Sequence, residues 1–259
     1  MAIPKCFSLS TLILIFTSLL LQAQPVPREG DAIVLTDERL ETLLRQSQFG
    51  KHFTPGTEGA VDGLVVDTSD RTDVLALFHF IYQASEGYAD RVNFTGDVSM
   101  CDAGTVSATF LEDTRRRINY FRAMAGLPAN ITFDTAKNMA AQEAALIMAA
   151  NQQLSHFPKD DFGLAAPCIS DLGHDAAGDS NLAIGSYGAG SVDRYIRDDG
   201  ANNAVVGHRR WLLYPRAVEM GSGSIPPADG RLAANAIYVI GDFGSRPATP
   251  EFVSWPPKG

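Results

Sequence analysis

The sequence contains no H-E-x-x-H helix, no G-x-S-x-G turn and no Cys/His spacing of a structural zinc module. The usual signatures of a zinc peptidase, an α/β-hydrolase elbow and a zinc finger are therefore missing. Positive charge is also in short supply. Lys and Arg number 21 against 30 Asp and Glu, a formal net charge of −9. That balance argues against nucleic acid or an anionic membrane as a general partner. The basic triplet Arg115-Arg116-Arg117 lies beside Glu112 and Asp113 and reads as a solvated helix face. Gly185, Gly188 and Gly190 form a glycine cluster, but no Lys-Ser/Thr follows. The cluster reads as a flexible loop rather than a phosphate cradle. Cysteines number three, and no internal repeat is visible.

One apolar run stands out. Lys5 is followed by Phe7 to Leu21, then by Ala23, Pro25 and Pro27. About fifteen apolar residues suit a signal h-region and are short for a bilayer span. Residues 1–23 are therefore expected to be a signal peptide cleaved after Ala23, an uncleaved anchor being the alternative. No later run is long enough to span a membrane, so no integral membrane segment is expected after cleavage. Removing the leader takes Lys5 and Cys6 and leaves a net charge of −10. Cys101 and Cys168 remain, an even pair in an oxidising compartment, either bonded or left as free thiols. A bond between them would close a loop of about 67 residues and stabilise by roughly 4 kcal/mol. The expected location is secreted, extracellular or periplasmic.

With 259 residues, 45% hydrophobic and 20% charged, the chain is long enough for a sizeable core. Residues 24–105 read as an N-terminal helical extension. Leu35, Leu40, Leu43 and Leu44 suggest a helix ending near Gly50, and residues 51–72 a loop. Asp73 is expected to cap a second helix through Val74–Phe78, Ile81 and Tyr82. Within this extension His52 and His79 read as structural. Residues 106–245 carry the main domain. Leu111, Thr114, Ile118, Phe121 and Ala125 fall on one helical face, ended by Gly126 and Pro128. Asp134 reads as the cap of a long Ala-rich helix to Asn151. Residues 157–190 look loop-dominated, with a short helix at Val192 to Ile196. Strands are expected at 218–223 and 236–240. Helices first and strands late imply an α+β fold. Residues 246–259 read as a Pro-rich linker or truncated end.

The chemistry-bearing residues are scattered: His156 after the long helix, Asp179-Ser180-Asn181-Leu182-Ala183, and Gly207-His208-Arg209-Arg210-Trp211. Arg209 and Arg210 would clamp a ligand or cover the Trp211 ring. Their order resembles the CAP superfamily (SCP-like; cysteine-rich secretory, antigen 5 and pathogenesis-related proteins). Arg117-Ile118-Asn119-Tyr120-Phe121-Arg122 resembles its opening helix, Leu154-Ser155-His156 its first cavity histidine and Asn181-Leu182-Ala183 its G-E-N-L segment. Gly207-His208 with Trp211 resembles its G-H signature, in the shorter G-H-R form of bacterial members. Val218–Gly223 resembles the strand after it. The resemblance covers about half the chain. It implies an α-β-α sandwich with a cleft presenting two His and two acids, sometimes around a divalent ion such as zinc.

This sequence departs from that pattern by placing Ser180 where the family has Glu. Asp198 or Asp199 could supply the second acid. The expected cavity residues are His156, Ser180, Asn181, Asp198 and His208, with His156 and His208 as metal donors and His174 as a substitute. Without the Glu, no general base for a metal-bound water is evident. The resemblance thus points first to a non-catalytic binding module for a lipid, sterol or cell-surface ligand. The alternatives are a metal-assisted, peptidase-like hydrolase using His156, His208 and an Asp, and a structural protein-interaction domain.

Overall fold

The computed structural model describes residues 37–47, 63–241, 243–249 and 252–257. The leader with its cleavage point Ala23, and His52, lie outside the described residues. The chain divides into two units, Met1–Leu35 and Thr36–Gly259, and every element below belongs to the second. In chain order these are α1 (Asp37–Gln46), α2 (Arg71–Leu77, running into a π-helical turn at Phe78–Tyr82), α3 (Ala108–Met124), β1 (Thr132–Phe133) and α4 (Thr135–Asn151). Then come α5 (Pro158–Phe162), α6 (Asp171–Gly178), β2 (Ser180–Ile184), α7 (Gly188–Arg197), α8 (Gly207–Leu212), β3 (Glu219–Ile225) and β4 (Ala234–Tyr238). No described helix is long and apolar enough to cross a membrane.

Side-chain caps set the starts of the two long helices. The Ser107 hydroxyl accepts from Phe110 N at 3.1 Å, and the Asp134 carboxylate accepts from Lys137 N at 2.9 Å. Each such cap is worth about 1 kcal/mol. The second helix starts earlier than expected, because Asp70 rather than Asp73 accepts from Thr72 N and Asp73 N. Asp73 is instead buried inside α2.

The four strands lie in the order β1-β3-β4-β2. β1 runs parallel to β3, and β3/β4 and β4/β2 are antiparallel. α4 covers one face. Its Ala140, Ala141, Ala144 and Ala145 pack beside Leu182, Ile225, Ala234 and Ala236. The approach is close because β3 offers glycines there. A Cβ on Gly223 would stand 2.2 Å from the backbone of Ala141 and Gln142, and one on Gly221 2.4 Å from Lys137 C. α3 and α7 cover the other face, where Ile118, Phe121, Val192 and Ile196 meet Ala183, Met220, Ile237 and Val239. Helix, sheet and helix layers make the expected α+β, α-β-α sandwich.

Several local readings need correction. Residues 157–190 are not mainly loop, since α5, α6 and β2 all fall there. Ser170 caps α6 by accepting from Gly173 N at 3.1 Å, and Ser180–Ile184 pair along β4. The glycine cluster is not a free loop either. Gly188 and Gly190 form the first turn of α7 and lie against Phe110 and Tyr88, where a Cβ would meet the Phe110 ring at 2.5 Å and the Tyr88 hydroxyl at 2.3 Å. The arginine triplet splits. Arg115 and Arg116 pair with Glu112 and Asp113 on the surface side, but Arg117 is 1% exposed. Its guanidinium donates to Asp193 at 2.5 Å, Glu86 at 2.8 Å and Ser85 at 2.8 Å, and lies 3.7 Å from the Tyr82 ring centroid. Helical periodicity cannot foresee a charge on the buried side when its partners come from α7 and from residues 82–86.

Candidate functional site

α8 is held in place by two arginines. Arg122 of α3 is fully buried and donates to the carbonyls of Pro128, Leu212, Tyr214 and Ala217. Desolvation pulls its guanidinium down to about 10. Arg209 of α8 donates to the carbonyls of Ile196 and Arg197 at the end of α7. Its guanidinium is thus committed to the end of α7. The Trp211 indole stacks on Phe243 with ring centroids 6.4 Å apart.

Between these anchors the backbone is bent. Asp198, just after α7, has φ 51° and ψ 51°, and Val206, just before α8, has φ 46° and ψ 43°. A left-handed conformation is tolerable for Asp but unfavourable for β-branched Val. Such strain costs on the order of 1–3 kcal/mol and concentrates at functional sites. Here it turns the Asp198 and His208 side chains toward each other. His208 Nδ1 donates to Asp198 Oδ1 at 2.7 Å, and Arg209 N donates to Asp198 Oδ2 at 3.2 Å. The Asp198 side chain is 0% exposed, and that of His208 is 25% exposed. Asn181 Nδ2 donates to the His208 carbonyl at 3.0 Å, and the buried Tyr195 ring lies 5.2 Å from the imidazole. Of the two acids considered from sequence, the geometry selects Asp198. Asp199 is exposed and pairs with Arg197 at 3.2 Å.

His156 is oriented by a different partner. Its Nδ1 donates to the Ala177 carbonyl of α6 at 2.7 Å. A carbonyl and a carboxylate only accept, so the neutral form of each ring carries its proton on Nδ1 and a lone pair on Nε2. Neither Nε2 has a hydrogen-bond partner among the described residues.

Both histidines line one open cleft of about 320 Å³ at the end of the sheet, where β2 is the edge strand. Ser180, Asn181 and Asp198 line it too, so the structure gathers all five expected cavity residues. Phe157, Val205, Trp211, Val239 and Ile240 supply apolar wall. The Ser180 hydroxyl is buried without a partner among the described residues. His174 is not among the lining residues. Its Nδ1 accepts from Lys159 N at 3.3 Å. His79 is buried in the π-helical turn, against Phe78 and bonded to the Gln83 side chain.

One lining acid stood in the chemistry-bearing run but was not among the expected cavity residues. Asp179 precedes Ser180, and its Oδ2 accepts from the Tyr238 hydroxyl at 2.7 Å. Burial and Asp179 push that phenol up to about 12. The signal was a carboxylate one residue before the expected position.

A resident metal does not fit these residues. Among the described residues no group of three or more His, Cys, Asp or Glu could hold an ion. Two imidazoles fall short of the three or four protein ligands of a zinc site. The pair His156/His208 therefore makes no metal centre by itself. Cys101 and Cys168 form a disulfide.

Comparison with known proteins gives one match. Residues 115–243 fit the family model of CAP, the cysteine-rich secretory protein family. No curated protein and no solved structure matches the chain.

Proposed function

Since residues 115–243 form a CAP domain, we propose that the protein is a secreted, extracellular or periplasmic binding module. Its His156/His208 cleft takes a cell-surface or lipid-like ligand. The observation that carries this reading is the pair of imidazoles fixed through Nδ1, each with Nε2 unpartnered, in a cleft whose wall is part apolar. Concave sites that combine apolar wall with a few oriented polar groups are the usual form of a ligand pocket. Secretion rests on the apolar leader and on the Cys101–Cys168 pair.

Trp211 supplies the readout, because it lines the cleft. Titration with a sterol analogue and with soluble cell-wall oligosaccharides is expected to give a saturable change in tryptophan fluorescence. His156→Ala and His208→Ala should each weaken it about tenfold, the loss of roughly one hydrogen bond at 1.4 kcal/mol. No saturable binding, or binding indifferent to both variants, would contradict the reading.

One observation favours a second reading. Asp198 orients His208 as a carboxylate orients the imidazole base of a hydrolase. In this reading His208 Nε2 takes a proton from water as the water oxygen attacks the carbonyl carbon of a bound ester or amide, and returns it to the departing alcohol or amine as the acyl C–O or C–N bond breaks. Ser180 is not the nucleophile, since its hydroxyl lies beneath the surface. Turnover of a fluorogenic casein or ester that disappears in His208→Ala would support this reading. Turnover no greater than that of His208→Ala would remove it.

A further inference from the structure

Acceptors predominate among the polar groups of the cleft, although the Asn202 amide and the Trp211 indole N–H also line it. His156 Nε2 and His208 Nε2 present lone pairs, because both Nδ1 atoms hold the ring protons against Ala177 O and Asp198. Asp179 presents a carboxylate with Oδ2 engaged by Tyr238 and Oδ1 unengaged among the described residues. The Ser180 hydroxyl, 4% exposed and without a partner among the described residues, lies in the same wall. Neither Lys nor Arg is among the lining residues, and two carboxylates, Asp179 and Asp198, are. The chain as a whole carries −9.

An anion entering this cleft would meet two carboxylates and mainly acceptors, with no Lys or Arg among the lining residues to offset its desolvation. A ligand rich in donors meets the reverse. The apolar wall of Phe157, Trp211, Val205, Val239 and Ile240 excludes a purely polar guest and suits one with a C–H face. We infer that the cleft recognises a saccharide through its hydroxyl and amino donors, an amino sugar meeting the site most fully. Its donors face His156, His208 and Asp179, and its ring C–H groups lie along Phe157 and Trp211. This rests on the cleft being a ligand site, as proposed above, and specifies what that ligand is.

Three tetrasaccharides of equal length serve as probes in calorimetry with the full mature chain: glucosamine, N-acetylglucosamine and galacturonate. The glucosamine tetramer is expected to bind at least tenfold more tightly than the galacturonate tetramer, with the N-acetyl form between them. Asp179→Asn keeps an acceptor for Tyr238 but removes the charge. It should weaken the amine tetramer about tenfold and narrow its lead over the N-acetyl form. Galacturonate binding as tightly as glucosamine, or an unchanged amine affinity in Asp179→Asn of native melting temperature, would overturn the inference. If no saccharide binds while a sterol analogue does, and His208→Ala abolishes that binding, the inference fails and the cleft reading stands. If neither binds, both fail.

Discussion

Single residues carry most of the conflict between charge and burial. Asp193 of α7 sits at 22% exposure against the buried Arg117, and its carboxyl is pushed up to about 6. Burial is the largest cause, and the attraction of Arg117 only partly opposes it. A folded pKa above the ordinary 3.8 means the native state holds this proton more tightly than the unfolded chain. The associated stability is fully present below about pH 4 and is lost as pH rises through 6. Urea midpoints of wild type and Asp193→Asn at pH 4 and pH 6.5 isolate it from other acids. The wild type should lose roughly 2 kcal/mol more than the variant over that window. Equal losses would show that Arg117 compensates the buried charge fully. At this same scale the sequence showed which histidines matter but not what holds them. His156 and His208 stood out by motif order. The bond from His208 to Asp198 depends on two left-handed residues, Asp198 and Val206, that no periodicity announces. Asp179 lines the cleft beside the expected Ser180.

Elements were legible in proportion to their length. α3 and α4 follow from face periodicity, and the Asp134 cap of α4 stands where it was expected, whereas α3 starts three residues before Leu111, at Ala108 after the Ser107 cap. α5, α6 and β2 were hidden in a Gly-, Asp- and Pro-rich stretch, because each is short and its stability comes from packing rather than propensity. Gly173 of α6 shows this: a Cβ there would stand 2.6 Å from Ile147 Cδ1 of α4. The helix–sheet contact on the opposite side of α4 is equally tight. Gly223→Ala should therefore destabilise the protein by about 3 kcal/mol, since the added methyl meets backbone that cannot shift alone. It also strains the bond from Ser224 N to Gln142 Oε1 at 2.8 Å. Gly207→Ala, where nothing stands within 4 Å, is the matched control and should stay within about 0.5 kcal/mol of wild type. Denaturant midpoints of the two variants decide it, and a neutral Gly223→Ala would mean that α4 and β3 can separate at little cost.

The whole molecule is held together by links that are distant in sequence. Arg117 ties residues 82–86 to α3 and α7, Arg122 ties α3 to the segment after α8, and the disulfide spans 67 residues. Only the last was open to sequence arithmetic, as an even pair of cysteines. Its removal in Cys101→Ser with Cys168→Ser should cost up to about 4 kcal/mol and lower the melting temperature. Ligand binding below the melting point should survive, because neither cysteine lines the cleft. Loss of binding in the folded double variant would show that the disulfide holds His156 and Phe157, which lie inside the loop it closes, in their cleft positions. The central claim is that this framework presents two imidazole lone pairs to one cleft. A long-range nitrogen–proton spectrum of the histidine rings at neutral pH tests it most directly. The account predicts that His156 and His208 both carry their proton on Nδ1, with Nε2 bare. A proton on Nε2 of either ring would contradict it.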